Sequence, residues 1–135
     1  MKREEKMAEL FIRFFLGHLI GDYLIQTYYM ASNKKVAGWR GHIACAWHCL
    51  TYTVSVCFML WTFNWLIWVL VFISHFIIDR SKFVDWWMDK VKGLTREKAI
   101  SSGPFGASIF TFLSIVVDNS FHFLSMWLII KFLMV

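Results

Sequence analysis

The sequence predicts an all-α integral membrane protein, a bundle of four transmembrane helices with a polar His/Asp interior. Composition is the first observation: 59% of the 135 residues are hydrophobic and 19% aromatic, and the mean hydropathy of +0.55 exceeds that of ordinary soluble domains. The second is the length of the apolar runs, because about 20 residues cross the hydrocarbon core of a bilayer. The third is that every run carries polar residues on one helix face.

Four apolar segments separated by charged residues are the predicted spans. They cover residues 8–31, 41–63, 65–84 and 105–134, so the chain 1–135 is predicted to be a single membrane domain. The first segment is too long for a signal peptide and contains His18 and Asp22, so we interpret it as a span.

Positive charge is concentrated in the first and third connections between these spans. These connections hold nine of the fourteen Lys and Arg residues, namely Lys34, Lys35, Arg40, Arg80, Lys82, Lys90, Lys92, Arg96 and Lys98. By the positive-inside rule, both connections are predicted to be cytoplasmic. The net charge of +5 has no aromatic-interleaved basic region behind it, which predicts contact with membrane lipids and argues against nucleic acid.

The third connection predicts further structure. In FVDWWMDKVKGL, residues 83–94, Phe83, Trp87 and Val91 fall near one face, which is typical of a short interfacial helix with its aromatic side toward lipid. A simple extension of the third span is the alternative. The stretch SSGPFG, residues 101–106, predicts a turn, with Ser101 or Ser102 able to cap the fourth span.

Each predicted span carries polar residues three or four positions apart, which share a helix face. These stripes are His18, Asp22 and Gln26 in the first span, His42, Cys45, His48, Tyr52 and Ser55 in the second, Asn64, Trp68, His75 and Asp79 in the third, and Ser108, Thr111, Ser114, Asp118, His122 and Ser125 in the fourth. We expect the four stripes to face one another inside the bundle.

Three aspartates inside predicted spans carry a cost that must be offset. An Asp near mid-membrane costs about 2.5–3.5 kcal/mol, so three together cost roughly 8–10 kcal/mol. Each has an imidazole four residues away, in the pairs His18/Asp22, His75/Asp79 and Asp118/His122. Counting about 1.5 Å per residue from the basic connections places four of these side chains in one thin layer, Asp22, His48, His75 and Asp79.

This pattern predicts an intramembrane site for a divalent metal ion, with zinc first and manganese, iron or magnesium as alternatives. The candidate ligands are His18, Asp22, His48, His75, Asp79, Asp118 and His122. His18 and His122 lie deeper and would extend the site, to a second metal if one is bound. A lone intramembrane histidine is usually a packing residue, so the hypothesis depends on the whole set. Cys45, Cys49 and Cys57 are interpreted as packing residues.

Four motifs in order, GHLIGDYLIQTYYMASNK, HCLTYT, HFIIDRSK and VDNSFH, resemble domain of unknown function family 3307, a family of small prokaryotic integral-membrane proteins. The resemblance runs from about Phe14 to Leu124. It implies a four-span protein of the HxxxD type in a prokaryotic inner membrane. The family's polar positions would be His18, Asp22, Gln26, His48, His75, Asp79, Asp118 and His122. The family name implies no activity.

Three functions are compatible with this arrangement. The first is a metal-dependent membrane hydrolase of a lipid or lipid-linked phosphate or ester, with Asp22 or Asp118 as catalytic general base. Arg80, Lys82 and Lys34 would steer its anionic substrate. The second is a metal-ion or proton transporter that uses the same stripes as a relay in a homo-oligomer. The third is a small membrane adaptor without catalysis. We rank the hydrolase first.

Overall fold

The computed structural model describes residues 2–135, which form seven α-helices, one π-helical segment and no strand. The elements in order are α1 (Arg3–Leu19), the π-helical segment (Ile20–Ile25), α2 (Tyr28–Asn33), α3 (Trp39–Met59), α4 (Trp65–Arg80), α5 (Phe83–Lys90), α6 (Arg96–Ser101) and α7 (Gly103–Leu133). The prediction of an all-helical chain is confirmed. The four longer helices pack in a ring, α1 on α3, α3 on α4, α4 on α7 and α7 on α1.

Two helices are long and apolar enough to cross a membrane, α3 and α7. The helix α4 is apolar but has only 16 residues. The helix α1 begins at Arg3 and includes charged residues in its first half. By length and composition, the structure therefore supports two of the four predicted spans.

The predicted first span, residues 8–31, is not one helix in the structure. Helix α1 begins at Arg3, its continuation becomes π-helical at Ile20, and the chain leaves the helix at Gln26. Thr27 then starts α2, because its side chain accepts a hydrogen bond from the backbone N–H of Met30 at 3.3 Å. π-Helical turns inside helices often occur at functional sites.

A short separate helix follows α4, as predicted. Ser81 adopts an extended conformation with ψ of 164°, so the alternative of one continuous third span is wrong. The aromatic face of α5 packs on α7, whereas the sequence predicted that this face contacts lipid. The rings of Phe83 and Trp87 lie 4.7 and 5.1 Å from the ring of Phe121, measured between centroids.

The turn before α7 also differs from the prediction. The turn is confined to Ser102, because an extra helix, α6, ends at Ser101 and α7 already begins at Gly103. Helix α6 is capped by the side chain of Thr95, which accepts from the backbone N–H of Lys98 at 3.2 Å. Ser102 occupies the N-cap position of α7, as predicted, but its side chain forms no capping hydrogen bond, since the hydroxyls of Ser101 and Ser102 both donate to the carbonyl oxygen of Lys98.

An apolar core fills the half of the helix bundle nearest the turn between α3 and α4. It consists of Phe14, Tyr52, Val56, Cys57, Leu60, Ile67, Val71, Met126 and Ile130. Helix α1 and the π-helical segment that continues it lie close to α3 at two glycines. A Cβ added at Gly17 would lie 2.8 Å from Val56 Cα, and one at Gly21 would lie 2.8 Å from a ring carbon of Tyr52. Small residues permit such close helix contacts.

Candidate metal centre

Four side chains from three elements converge beside this core and form what we call the primary cluster, Asp22, His48, His75 and Asp79. The Nε2 atom of His48 lies 3.0 Å from Nε2 of His75. The same atom lies 3.3 Å from Asp22 Oδ1 and 3.1 Å from Asp79 Oδ2. Nε2 of His75 lies 3.4 Å from each of these two oxygens.

These separations match the spacing of ligand atoms around a tetrahedral metal ion. Metal–nitrogen and metal–oxygen bonds of about 2.0–2.1 Å place neighbouring ligand atoms of a tetrahedron about 3.3–3.4 Å apart. The five separations in the primary cluster run from 3.0 to 3.4 Å, and only the pair of imidazoles has hydrogen-bond geometry. Asp22 Oδ1 is buried without a hydrogen-bond partner among the described residues. Asp22, His48 and His75 form a set whose ligand atoms lie within 4.8 Å of one another and could hold a metal ion, and Asp79 adjoins this set through both imidazoles.

Burial makes a compensating cation more important for the primary cluster. His48, His75 and Asp79 are at most 1% exposed, and the side chain of Asp22 is 12% exposed. The ammonium of Lys34 lies 2.8 Å from Asp79 Oδ2 and supplies one positive charge. Burial of Lys34 opposes this charge, but the carboxylate of Asp79 outweighs burial and raises the pKa of Lys34 above its ordinary value. One ammonium does not neutralise two carboxylates.

A second group of side chains adjoins the primary cluster through Asp79. Asp79 Oδ1 lies 3.4 Å from His122 Nε2, which lies 3.3 Å from Asp118 Oδ2. In the described chain, three sets of side chains could hold a metal ion, each with its ligand atoms within 4.8 Å of one another. They are Asp22, His48 and His75; Asp79, Asp118 and His122; and Cys49, His75 and Asp79.

His18 lies beside these groups and is part of none of the three sets. Its Nδ1 lies 3.2 Å from the hydroxyl of Tyr52 and 3.4 Å from Asp22 Oδ2. Its Nε2 lies 2.6 Å from the side-chain oxygen of Asn119. Both ring nitrogens therefore have polar partners, and a histidine that contacts a metal-binding carboxylate typically orients it.

The outer parts of the predicted stripes contribute no residue to the three ligand sets. His42 is exposed, and its Nδ1 accepts a hydrogen bond from Arg80 Nε at 3.4 Å. Along the first half of α7, the stripe hydroxyls bond to carbonyl oxygens four residues earlier in the same helix, at Ser108, Thr111 and Ser114. Gln26, with its amide oriented as its neighbours require, donates to the backbone oxygen of Asp22 and accepts from Lys34 Nζ.

The structure adds two residues to the candidate site, Lys34 and Asn119. Lys34 was predicted only to steer substrate, yet it bonds Asp79 directly. Asn119 was not singled out, yet it joins His18 to Tyr23, whose hydroxyl accepts from Asn119 Nδ2 at 2.8 Å. An amide inside an otherwise apolar helix needs a polar partner, and this was the signal available for Asn119.

A cavity of about 310 Å³ opens next to the primary cluster. Two predicted site carboxylates, Asp22 and Asp118, lie in its wall. Three cationic side chains also line it, Lys34, Lys35 and Arg96. The cavity therefore places positive charge and candidate metal ligands around one space.

The cations of this cavity differ from those predicted to steer a substrate. Arg80 and Lys82 are not part of its wall, whereas Lys35 and Arg96 are. Arg96 begins α6, a helix that the sequence did not predict. Tyr23 and Ile115 also line the cavity, and they are 55% and 47% exposed.

Comparison with known proteins identifies the family. No curated protein and no solved structure matches the chain. A family described as "Protein of unknown function (DUF3307)" matches residues 10–135, which include the primary cluster, the second group and the cavity. The resemblance noted in the four sequence motifs is thereby confirmed. The chain belongs to this family of proteins of unknown function, DUF3307.

Proposed function

We propose that this protein is a metal-dependent membrane hydrolase that acts on the phosphate or ester of an anionic lipid or lipid-linked substrate. The observation that carries the proposal is the set of five separations of 3.0–3.4 Å within the primary cluster, beside a cavity whose wall includes Lys34, Lys35 and Arg96. One divalent ion, zinc first, would be held by Asp22, His48, His75 and Asp79. When bound, such an ion activates water and polarises a substrate oxygen.

Other residues in and beside the cavity would perform the remaining functions of a hydrolase site. Lys35 and Arg96 bind the anionic head group. Asp118 lies in the cavity wall, and it would be the general base of a site that holds a single ion. His18 orients Asp22 through the contact at 3.4 Å.

The proposed setting is a prokaryotic inner membrane, with the whole chain as one membrane domain and the basic connections in the cytoplasm. Helix α1 with the π-helical segment, α3, α4 and α7 would be the four spans. Large apolar side chains are exposed on all four, such as Leu24, Trp47, Phe58, Ile77 and Phe132, which are 59–77% exposed. Exposed apolar surface of this extent supports contact with lipid.

A transport pathway has less support from the same structure. The apolar core fills the helix bundle beyond the primary cluster, and it includes Phe14, Val56 and Val71. A proton or ion relay needs polar groups along its whole length. The arrangement of a pocket on one side of the cluster favours chemistry over passage.

Metal content is the first test of the proposal. We expect the purified wild-type protein to contain a stoichiometric divalent ion by elemental analysis, and His75→Ala to lose it. His42→Ala is the matched control, since it removes an exposed histidine outside the cluster and should keep the metal. Equal metal content in His75→Ala and His42→Ala would refute the proposed site.

Hydrolysis is the second test. Vesicles that contain phosphatidic acid should release inorganic phosphate in the presence of the protein, and a chelator should abolish the release. Lys35→Ala and Arg96→Ala should raise KM, while Lys92→Ala, at an exposed lysine outside the cavity, should not. Metal flux across the vesicle membrane without hydrolysis would instead establish transport.

A further inference from the structure

We infer that the site has a second metal position, held by Asp79, Asp118 and His122, with Asp79 bridging the two positions. The inference rests on the proposed metal centre and goes beyond it, because the primary cluster needs neither Asp118 nor His122. A pair of ions would also narrow the substrate to a phosphate ester.

The two oxygens of Asp79 face different groups. Oδ2 lies 3.1 Å from His48 Nε2 and 3.4 Å from His75 Nε2, in the primary cluster. Oδ1 lies 3.4 Å from His122 Nε2. A carboxylate with one oxygen on each of two ligand groups has the geometry of a bridge, and two-metal sites hold their ions about 3.5–4 Å apart.

Two atoms of the second position are buried and lack hydrogen-bond partners among the described residues, Asp79 Oδ1 and His122 Nε2. Their residues are 0% and 1% exposed. Buried polar atoms in native proteins nearly always have partners. Two neighbouring atoms without hydrogen-bond partners are therefore consistent with a bound metal ion. The ring of His122 is held in this direction by stacking on His75, with centroids 4.1 Å apart and planes inclined at 22°.

The second position is more open than the first. It has three protein ligands, and one of them, Asp118, lines the cavity with a side chain that is 21% exposed. Catalytic metal sites typically keep a coordination position open for substrate or water, whereas closed sites have four protein ligands. The open position of the second ion would therefore face the cavity.

Two ions side by side suit one class of reaction. Such pairs stabilise the attacking and leaving oxygens in displacements at phosphorus. With Lys35 and Arg96 in the same cavity, the structure favours a phosphate ester over a carboxylic ester. One imidazole with two carboxylates suits manganese, magnesium, iron or zinc at the second position.

Titration with Mn²⁺ tests the inference directly, because paired Mn²⁺ ions are visible by electron paramagnetic resonance. Metal-free protein in detergent is equilibrated with Mn²⁺, and the bound ions are counted by equilibrium dialysis. We expect two ions per chain with a spin-coupled spectrum in the wild type and in His42→Ala. In His122→Ala we expect one ion and an uncoupled spectrum.

The isosteric variant Asp118→Asn protects the test against misfolding, and it should also bind a single uncoupled ion. A wild-type protein that binds one ion would overturn the second position and leave the proposed function intact. A wild-type protein that binds neither Mn²⁺ nor, in a parallel dialysis, Zn²⁺ would overturn both. Loss of both ions in His122→Ala and in Asp118→Asn would overturn the inference of two separable positions.

Discussion

Replacement of Gly17 by alanine tests whether the packing of α1 on α3 positions the proposed metal ligand Asp22. A Cβ at residue 17 would lie 2.8 Å from Val56 Cα and 3.2 Å from the carbonyl oxygen of Ser55. Both are backbone atoms, so no side-chain rotation relieves the overlap. An ordinary contact begins at 3.4 Å, and the two helices must therefore separate by the difference between 3.4 and 2.8 Å, which is 0.6 Å.

This separation exceeds what a metal site tolerates. Metal–ligand distances hold to within about 0.2 Å, and Asp22 follows Gly17 on the same helix after five residues. Overpacking of a core costs about 1–3 kcal/mol. If the strain is released at Asp22, the metal affinity falls roughly 5- to 150-fold.

Competition with a chromophoric chelator measures this affinity, and denaturant unfolding of the same samples measures the loss of stability. Leu16→Ala is the control, because it changes the adjacent residue, which is 44% exposed, and should leave the affinity unchanged. A Gly17→Ala protein with wild-type metal affinity would show that this helix contact does not position Asp22.

Three other substitutions have defined outcomes. Phe14→Ala empties a fully buried position in the apolar core and should lower the free energy of unfolding by about 3–5 kcal/mol in chemical denaturation; a loss below 1 kcal/mol would contradict the packing described. Tyr52→Phe removes the hydroxyl 3.2 Å from His18 Nδ1 and should lower the free energy of unfolding by about 0.5–1.5 kcal/mol. The variant should still bind the metal, because His18 is not a proposed ligand, and loss of the metal would contradict that assignment. Lys34→Met leaves Asp79 without its ammonium, so the metal-free protein should be destabilised by up to about 3–5 kcal/mol. The rise in Tm on metal addition should then be larger than in the wild type, and an equal rise would argue against Lys34 as the counter-ion of Asp79.

Local spacing allowed much of the site to be predicted from the sequence. Side chains four residues apart on a regular helix share a face, so the pair His75/Asp79 on α4 could be placed together without a structure. A depth count then added Asp22 and His48 from other segments. The ligand atoms of these four residues lie 3.0–3.4 Å apart in the measured pairs.

The remaining features depend on interactions that helical spacing does not encode. The position of His18 is set by Tyr52 and Asn119, which belong to other helices. Arg96 reaches the cavity because α6 folds against α7, and short helices in a polar connection have no long apolar stripe to predict them. The break at Gln26 was hidden by apolar residues on both sides, since hydropathy alone does not distinguish one helix from two.

The π-helical segment requires a fixed number of residues between positions 20 and 25. Removal of one residue there would allow a regular α-helix to run through, and helical continuity would not be lost. However, one residue corresponds to about 100° of rotation at 3.6 residues per turn. After such a deletion, the glycine face of α1 could stay on α3 only if Asp22 turned away from His48 and His75. Chain length, as well as residue identity, therefore determines whether Asp22 lies beside His48 and His75.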